Sequence, residues 1–204
     1  MAVFYVTGLS GTGKSAVLTE LRARGYQARG VDEDGYGDWI SRATGTPADF
    51  PRDDSNFDFH GWYQEHEWVL SMRRIGVLSR AAARLGEPVF LCGAASGDGT
   101  VWHLFDKVLA LVADVPTLKR RIAGRANEFG KAPDELAAII RWHASFEAAY
   151  RGFGAIVIDA TQPLGGVVDE ILAASASAFP PRSPGRDVPR QVGSEADARP
   201  GAGT

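Results

Sequence analysis

Short apolar runs bounded by glycine and polar turns recur along the chain, and stretches with helical spacing separate them. Val3 to Val6 is β-rich and almost fully apolar, which predicts a buried central parallel strand. A glycine-rich turn follows. Lys14 to Arg24 then carries Ala16, Val17, Leu18 and Leu21 at helical spacing, and Gly25 closes that helix. Tyr26 to Val31 is a weaker strand, ending in Asp32-Glu33-Asp34-Gly35. Residues 41 to 61, with their Gly, Pro, Asp, Ser and Asn, read as one long loop, a feature that is usually functional or mobile in a compact domain. Trp62 to Leu85 reads as a single long helix whose inner face holds Trp62, Tyr63, His66, Val69, Leu70, Ile75 and Leu78.

The second half repeats the alternation. Val89 to Cys92 is a buried strand ending at Gly93, Val101 to Phe105 a short helical turn, and Val108 to Val112 a further buried strand. Asp114-Val115-Pro116 opens the next helix, with Asp114 as its cap. Asn127 to Pro133 is a polar break before an amphipathic helix from Asp134 to Tyr150, with Leu136, Ile139, Ile140, His143, Phe146 and Tyr150 on one side. Ala155 to Ile158 is the last strand and Val167 to Ala174 the last helix. Strands and helices in strict alternation predict a three-layer α/β/α fold around a five-stranded parallel sheet, and ligands in such sheets bind at the carboxyl ends of the strands.

After Ala178 the composition changes. Residues 179 to 204 hold five prolines and little apolar surface, so residues 1 to 178 are read as the folded domain and the remainder as a disordered tail. The 204 residues otherwise allow a sizeable core, and a net charge of −3 gives no general attraction to nucleic acid or to anionic membrane. A single cysteine, Cys92, rules out an internal disulfide framework and suits a reducing compartment. No apolar run approaches the roughly 20 residues that span a bilayer. The expectation is a cytoplasmic protein, monomeric or homodimeric, whose partner is a small molecule.

The chemistry begins at Gly8-Leu9-Ser10-Gly11-Thr12-Gly13-Lys14-Ser15, which satisfies G-x-x-x-x-G-K-[ST] between a strand and a helix. The glycines allow successive N–H groups of Gly8, Ser10, Gly11, Thr12 and Gly13 to face phosphate oxygens. Lys14 is placed to reach the β- and γ-phosphates, and the Ser15 hydroxyl to ligate Mg²⁺. ATP and Mg²⁺ are therefore the expected ligands. A GTPase is disfavoured because Asp32 to Gly35 stands too near the loop for its D-x-x-G element and no N-K-x-D follows. A ring-forming ATPase is disfavoured because the strand ending at Cys92 runs into Gly93-Ala94-Ala95 rather than an Asp-Glu pair. A small-molecule kinase remains. Leu118-x-x-Arg121-Ile122-x-x-Arg125 sets two guanidiniums four residues apart on one helix face, where they converge on a phosphoryl group. The polar stretch after Arg125 reads as a mobile lid, at about residues 121 to 143.

With these motifs in place, the chain resembles the nucleoside-monophosphate-kinase-like P-loop family, which includes adenylate, shikimate and gluconate kinases. The loop with Ser10 and Thr12 looks most like the gluconate kinase form. The run from Leu118 to Arg125 resembles the start of the family's lid, and Ile156-Val157-Ile158-Asp159-Ala160-Thr161-x-Pro163 its last strand and following loop. The resemblance implies a strand order 2-3-1-4-5 and places Thr161 and Pro163 beside the adenine. It also places the acceptor in about residues 32 to 75, with Asp32 or Asp34 orienting or deprotonating a substrate hydroxyl and the other helping to hold Mg²⁺ through water. Asp32, nearer the strand, is the first choice for the base and Asp34 for the metal; strand alternation sends both to one side.

True nucleotide kinases carry an arginine just after the third strand. Here Gly93 to Asp98 has none, although Arg42, Arg52, Arg73 and Arg74 stand elsewhere on the acceptor side. Gly93 and Trp62 are taken as acceptor-side residues. The aromatic-rich segment around Trp62 reads either as core or as a stacking surface for a flat acceptor. His60 and His66 lie near Asp53, Asp54 and Asp58, but their spacing matches no metal pattern. The main reading is an ATP-dependent phosphotransferase acting on a hydroxyl of a sugar-acid-like metabolite, a nucleoside or an antibiotic, with Lys14, Asp32, Arg121 and Arg125 as catalytic residues. The alternatives are a nucleoside-monophosphate kinase and a non-catalytic nucleotide-binding switch or toxin-like module.

Overall fold

The computed structural model describes residues 3–51, 59–126 and 129–176. In chain order the elements are β1 (Val3–Gly8), α1 (Lys14–Ala23), β2 (Gln27–Gly30), β3 (Gly37–Ser41), β4 (Pro47–Ala48), α2 (Phe59–Glu65), β5 (His66–Leu70), α3 (Met72–Leu85) and β6 (Val89–Cys92). A 3₁₀ helix (Asp98–Leu104), β7 (Lys107–Val112), α4 (Val115–Gly124), α5 (Pro133–Gly152), β8 (Ile156–Asp159) and α6 (Leu164–Ala176) complete the chain.

Every residue of β1 is buried, because its two faces lie under different helices. Phe4 and Val6 pack with Val17, Leu18 and Leu21 of α1 and with Val167, Val168 and Ile171 of α6. Val3 and Tyr5 face the opposite layer, with Ile75, Leu78 and Ala82 of α3, Val101 and Phe105 around the 3₁₀ helix, and Phe146 of α5. Each fully buried Leu, Ile or Phe contributes about 1.5–3 kcal/mol through lost apolar hydration, so the double-faced sheet is the main source of stability. The apolar set of α3 recurs at helical spacing, and the helix ends at Gly86, whose left-handed backbone lets its N–H reach the Ala82 carbonyl. Asp114 caps α4 as expected, its Oδ1 accepting from the Thr117 N–H at 2.7 Å.

The main sheet is parallel throughout, in the order β2-β6-β1-β7-β8. With the inserted strands numbered, this departs from 2-3-1-4-5. Counted among the five parallel strands alone, it runs second, third, first, fourth, fifth. The insertion between β2 and β6 is a second, antiparallel sheet in the order β4-β3-β5.

That sheet corrects the expectation of one helix from Trp62 to Leu85. Residues 66–70 instead form β5 against β3, with Trp39 opposite Trp68 and Ile40 opposite Glu67. The helical spacing of Trp62, His66, Val69 and Leu70 is coincidental, since a segment this short and rich in β-prone residues satisfies both periods. The supposed loop from 41 to 61 likewise begins in β3, contains β4 and ends in α2. The terminal tail, residues 179–204, lies outside the described residues, as do Asp53, Asp54 and Asp58. Among the described residues no helix is long and apolar enough to cross a membrane. No group of three or more metal-ligating side chains comes together among them.

Candidate active site

The loop after β1 is shaped to admit phosphate. A Cβ on Gly8 would lie 2.7 Å from both the Leu111 carbonyl oxygen and Thr12 Oγ1, so only glycine passes between β1 and β7. Gly13 caps α1 in the left-handed conformation, which turns the loop into the helix that begins at Lys14. Thr12 is buried and ties the loop across itself, its Oγ1 donating to Leu9 O at 2.9 Å and its N–H to the same carbonyl at 3.2 Å. Ser15 sits exposed in the first turn of α1. The tight glycines, the helix N-terminus, Lys14 and the Ser15 hydroxyl together fit a nucleoside triphosphate with its Mg²⁺.

Lys14 lies within this loop, its Nζ donating to Gly8 O at 2.8 Å and to Leu9 O at 2.9 Å. Burial pulls its ammonium down to about 8; Arg125 adds to the fall, while Asp32 opposes it. The side chain keeps partial contact with water, which leaves it free to exchange its proton with solvent. A cation that must be charged to hold phosphate loses affinity when it deprotonates. ATP affinity is therefore expected to be steady below pH of about 8 and to weaken above it, by up to about tenfold per pH unit. Calorimetric titration of ATP across that range checks it, and a flat profile would remove Lys14 as the titrating group.

Arg121 and Arg125 both reach the loop, as the spacing implied, though not as neighbours on one helix. Arg121 lies in the last turn of α4 and donates to Thr12 O at 3.1 Å and to Ala160 O at 2.9 Å. It thereby joins the P-loop to the loop after β8. Arg125 has left the helix, with φ −93° and ψ 159° at the C-cap, and donates from Nη2 to Ser10 Oγ at 2.8 Å and to the Phe129 carbonyl. Its Nε is buried without a partner, so one donor of the guanidinium remains to be satisfied. Thr161 turns back onto its own strand, its N–H and Oγ1 both meeting Asp159 Oδ1, which places it and Pro163 next to the Ala160 carbonyl that Arg121 holds.

The two aspartates after β2 have separate fates. Residues 31–35 form a turn rather than an extension of the strand, with Asp34 N–H bonded to Gly30 O at 3.1 Å, so strand alternation does not govern them. Asp34 closes that turn: its Oδ2 accepts from Gly30 N–H at 2.6 Å and pairs with Arg22 at 2.5 Å. One of its two carboxylate oxygens is thus engaged in the turn rather than turned toward Lys14, and the expected role in substrate or Mg²⁺ binding is not carried forward. Asp32 lies toward Lys14. Burial by the surrounding protein raises its carboxyl above the ordinary value and Glu33 raises it further, while Lys14 and the nearby Trp68 indole lower it. The residue as a whole stays exposed, so it can meet a substrate. Gly93, at the end of β6, packs directly on Val31, where a Cβ would lie 2.4 Å away. Trp62 stacks on His66 with ring centroids 3.7 Å apart, within the aromatic cluster of the inserted sheet.

Two clefts of about 440 and 520 Å³ run along α5 past His143, Glu147 and Arg151. Neither includes Lys14 or Asp32, and the site is defined by the P-loop geometry rather than by these grooves.

Sequence reasoning missed a buried carboxylate beneath the loop. Asp98, only 5% exposed, accepts from Tyr5 at 3.1 Å, from Thr7 at 3.3 Å and from Tyr150 at 2.9 Å. Burial raises its pKa and the hydroxyls partly offset the rise. The network fastens α5 to the strand that leads into the P-loop. Its signal in the sequence, an Asp in a glycine-rich turn, is indistinguishable from a surface turn. Asp98→Ala leaves the buried Tyr5 and Thr7 hydroxyls without their acceptor and is expected to lower stability by roughly 2–3 kcal/mol, read from the urea midpoint. Cys92, beside the site, is not a nucleophile: burial pushes its thiol up to about 12.

No protein-family model and no curated protein matches the chain. Solved structures share its fold. A shikimate kinase from Acinetobacter baumannii in complex with shikimate superposes with a TM-score of 0.55 at 15% identity, over 89% of this chain and 96% of that one. A sugar kinase from Janibacter sp. gives 0.50 at 20% identity, over 87% and 97%. A protein from Thermus thermophilus gives 0.51 at 16% identity, over 87% and 97%. The chain thus shares its α/β fold with the shikimate kinase and sugar kinase structures.

Proposed function

We propose that this protein is an ATP-dependent phosphotransferase that moves the γ-phosphoryl group to a hydroxyl of a small molecule. The observation that carries the reading is the arrangement of Lys14, Arg121 and Arg125 on the P-loop with the exposed Asp32 on Lys14's acceptor side. The likeness in fold to a shikimate kinase and a sugar kinase supports it.

The chain's residues divide the work. The loop amides, Lys14 and the two arginines hold the triphosphate and spread the charge that develops on the transferred group. Ser15 would hold Mg²⁺, which when bound neutralises the phosphate oxygens. Asp32 accepts the proton of the acceptor hydroxyl as its oxygen bonds to the γ-phosphorus and the bond to the β-phosphate oxygen breaks, giving ADP and a phosphate ester.

A monophosphate acceptor finds less support. Arg42 is paired with Glu67 at 3.3 Å, and Arg74 with Asp38 at 2.7 Å and with the carbonyls of Gly35 and Gly37. These two do not stand ready to grip a second phosphate; Arg73 is exposed on α3, and Arg52 lies outside the described residues. The deciding experiment is ADP release by the purified chain with Mg-ATP over a panel of hydroxyl and monophosphate acceptors. Turnover confined to monophosphates replaces this reading with a nucleotide kinase, and ATP binding without turnover of any acceptor replaces it with a nucleotide-binding switch.

A further inference from the structure

The indole N–H of Trp68 is buried and donates to no acceptor. Buried donors in native proteins are almost always paired, because an unmade bond forfeits the one the group had in water. The group beside it is the Asp32 carboxylate. The N–H lies near enough to lower that carboxyl's pKa, yet it stops short of hydrogen-bond geometry. An unspent donor next to the residue that takes the substrate's proton is explained neither by packing nor by the binding of phosphate.

Packing fixes the donor. Trp68 stands in β5 opposite Trp39 of β3, and its carbonyl accepts from the Ser96 N–H at 2.7 Å, which ties it to the loop after β6. Its ring lies over the Gly37 backbone: a Cβ there would come within 2.2 Å of Cζ2 and 2.3 Å of Cε2, the ring carbon bonded to the indole nitrogen. Only glycine at that place admits the ring. The rest of the side chain packs against the buried layer that holds Val31 and Leu70. The indole cannot swing without leaving this bed, so the direction of its N–H is set.

The acid is held differently. Residues 31–36 form a turn closed by the Tyr36 N–H on the Val31 carbonyl at 2.8 Å. The start of α3 clamps the far end of that turn. The Ser71 N–H donates to Tyr36 O at 2.8 Å, and Arg74 donates to Gly35 O at 2.8 Å and to Gly37 O at 2.9 Å. The backbone is thus anchored, while Asp32 is exposed and its side chain has no fitted bed. Lys14 attracts the carboxylate and Glu33 repels it. An ammonium acts as a point charge with three rotatable donors, so it sets no plane for the carboxylate. A single directional N–H does.

General-base catalysis asks for one carboxylate oxygen aimed at the hydroxyl. A donor on the other oxygen fixes the plane of the group, the part that a third residue plays when it orients a base. An acceptor displaces water from around Asp32 as it binds, and a hydrogen bond to a charged oxygen gains strength in drier surroundings. We propose that Trp68 is the positioning residue for Asp32: its indole N–H closes onto one carboxylate oxygen and turns the other toward the acceptor hydroxyl. The hydroxyl proton passes to that second oxygen, and the indole keeps its own proton throughout. The positioning role rests on the kinase reading of the same site; the contact between the two side chains does not.

Two measurements on the full chain test it. In ¹H–¹⁵N spectra each of the five tryptophans gives its own indole N–H signal, and Trp68→Phe identifies that of Trp68 by its loss. Asp32→Asn removes the charge that the N–H faces and is expected to move the Trp68 signal further than that of any other tryptophan. The second measurement is ADP release with Mg-ATP, using gluconate, shikimate, adenosine and cytidine as acceptors. For whichever of these turns over, Trp68→Phe should lower kcat about tenfold or more and leave the acceptor KM within about twofold, since phenylalanine keeps a ring on Gly37 and lacks only the donor. Should Trp68→Phe fail to fold, the Asp32→Asn spectrum still decides, with the Trp68 signal assigned through its bonds to the backbone.

An unmoved Trp68 signal in Asp32→Asn overturns the contact and the proposal with it. A moved signal with an unchanged kcat in Trp68→Phe overturns the positioning role, and so does a loss confined to KM, which would make Trp68 a residue that binds the acceptor. A moved signal in a parent protein that turns over none of the acceptors leaves the contact standing and removes the kinase reading, and the positioning role falls with it.

Discussion

Lys14→Ala is expected to lower turnover by about 10³-fold or more. Lys14 supplies the one mobile positive charge inside the loop, and its Nζ already lies at 2.8–2.9 Å from the Gly8 and Leu9 carbonyls that border the cradle. Alanine removes that charge where burial has excluded much of the screening water, so the loss exceeds that of an exposed lysine. The substitution need not unfold the chain, since Thr12 holds the loop through Leu9 independently of Lys14. A circular dichroism melt close to the parent's, together with lost ADP release, would assign the effect to chemistry. Retained turnover in Lys14→Ala would remove the loop as the phosphoryl-donor site. Arg121 and Arg125 should cost less when replaced singly, because they approach the same loop from two directions and each leaves the other in place.

What could be read from the sequence followed the range of the interactions involved. The P-loop was legible because its function is local: glycines, lysine and serine act on one another within eight residues. The parallel strands were legible because burial on both faces leaves continuous apolar runs such as Val3 to Val6. The approach of Arg121 and Arg125 to the loop was anticipated, but the C-cap break that turns Arg125 toward Ser10 was not, since it depends on a contact 115 residues away in sequence. The inserted sheet escaped notice because His66 to Leu70 satisfies a helix and a strand equally until β3 is known to lie beside it. Asp34 looked like a partner of Asp32 only while the segment was taken as a strand; the turn gives it Gly30 and Arg22 instead. Asp98 and Tyr150, 52 residues apart, meet only in three dimensions.

Asp32→Asn is expected to lower kcat by about 10²- to 10⁴-fold while leaving the acceptor KM and ATP binding nearly unchanged. The amide keeps the size of the side chain and its place beside Lys14 but cannot take a proton, so the attacking hydroxyl must lose its proton without help. The pH profile gives a second, independent reading. Asp32 works only when ionised, so the rate of the parent protein should fall as pH falls through its pKa. Burial and the neighbouring Glu33 hold that pKa above the ordinary aspartate value, which places the acid limb higher than for a free aspartate. Glu33→Gln removes one of the two influences that raise it and should shift the limb to lower pH without abolishing activity. In Asp32→Asn the limb itself should vanish along with most of the rate. A limb that persists unchanged in Asp32→Asn would mean that another group carries the proton, whereas its loss together with the shift in Glu33→Gln ties the acid limb to the Asp32 carboxylate.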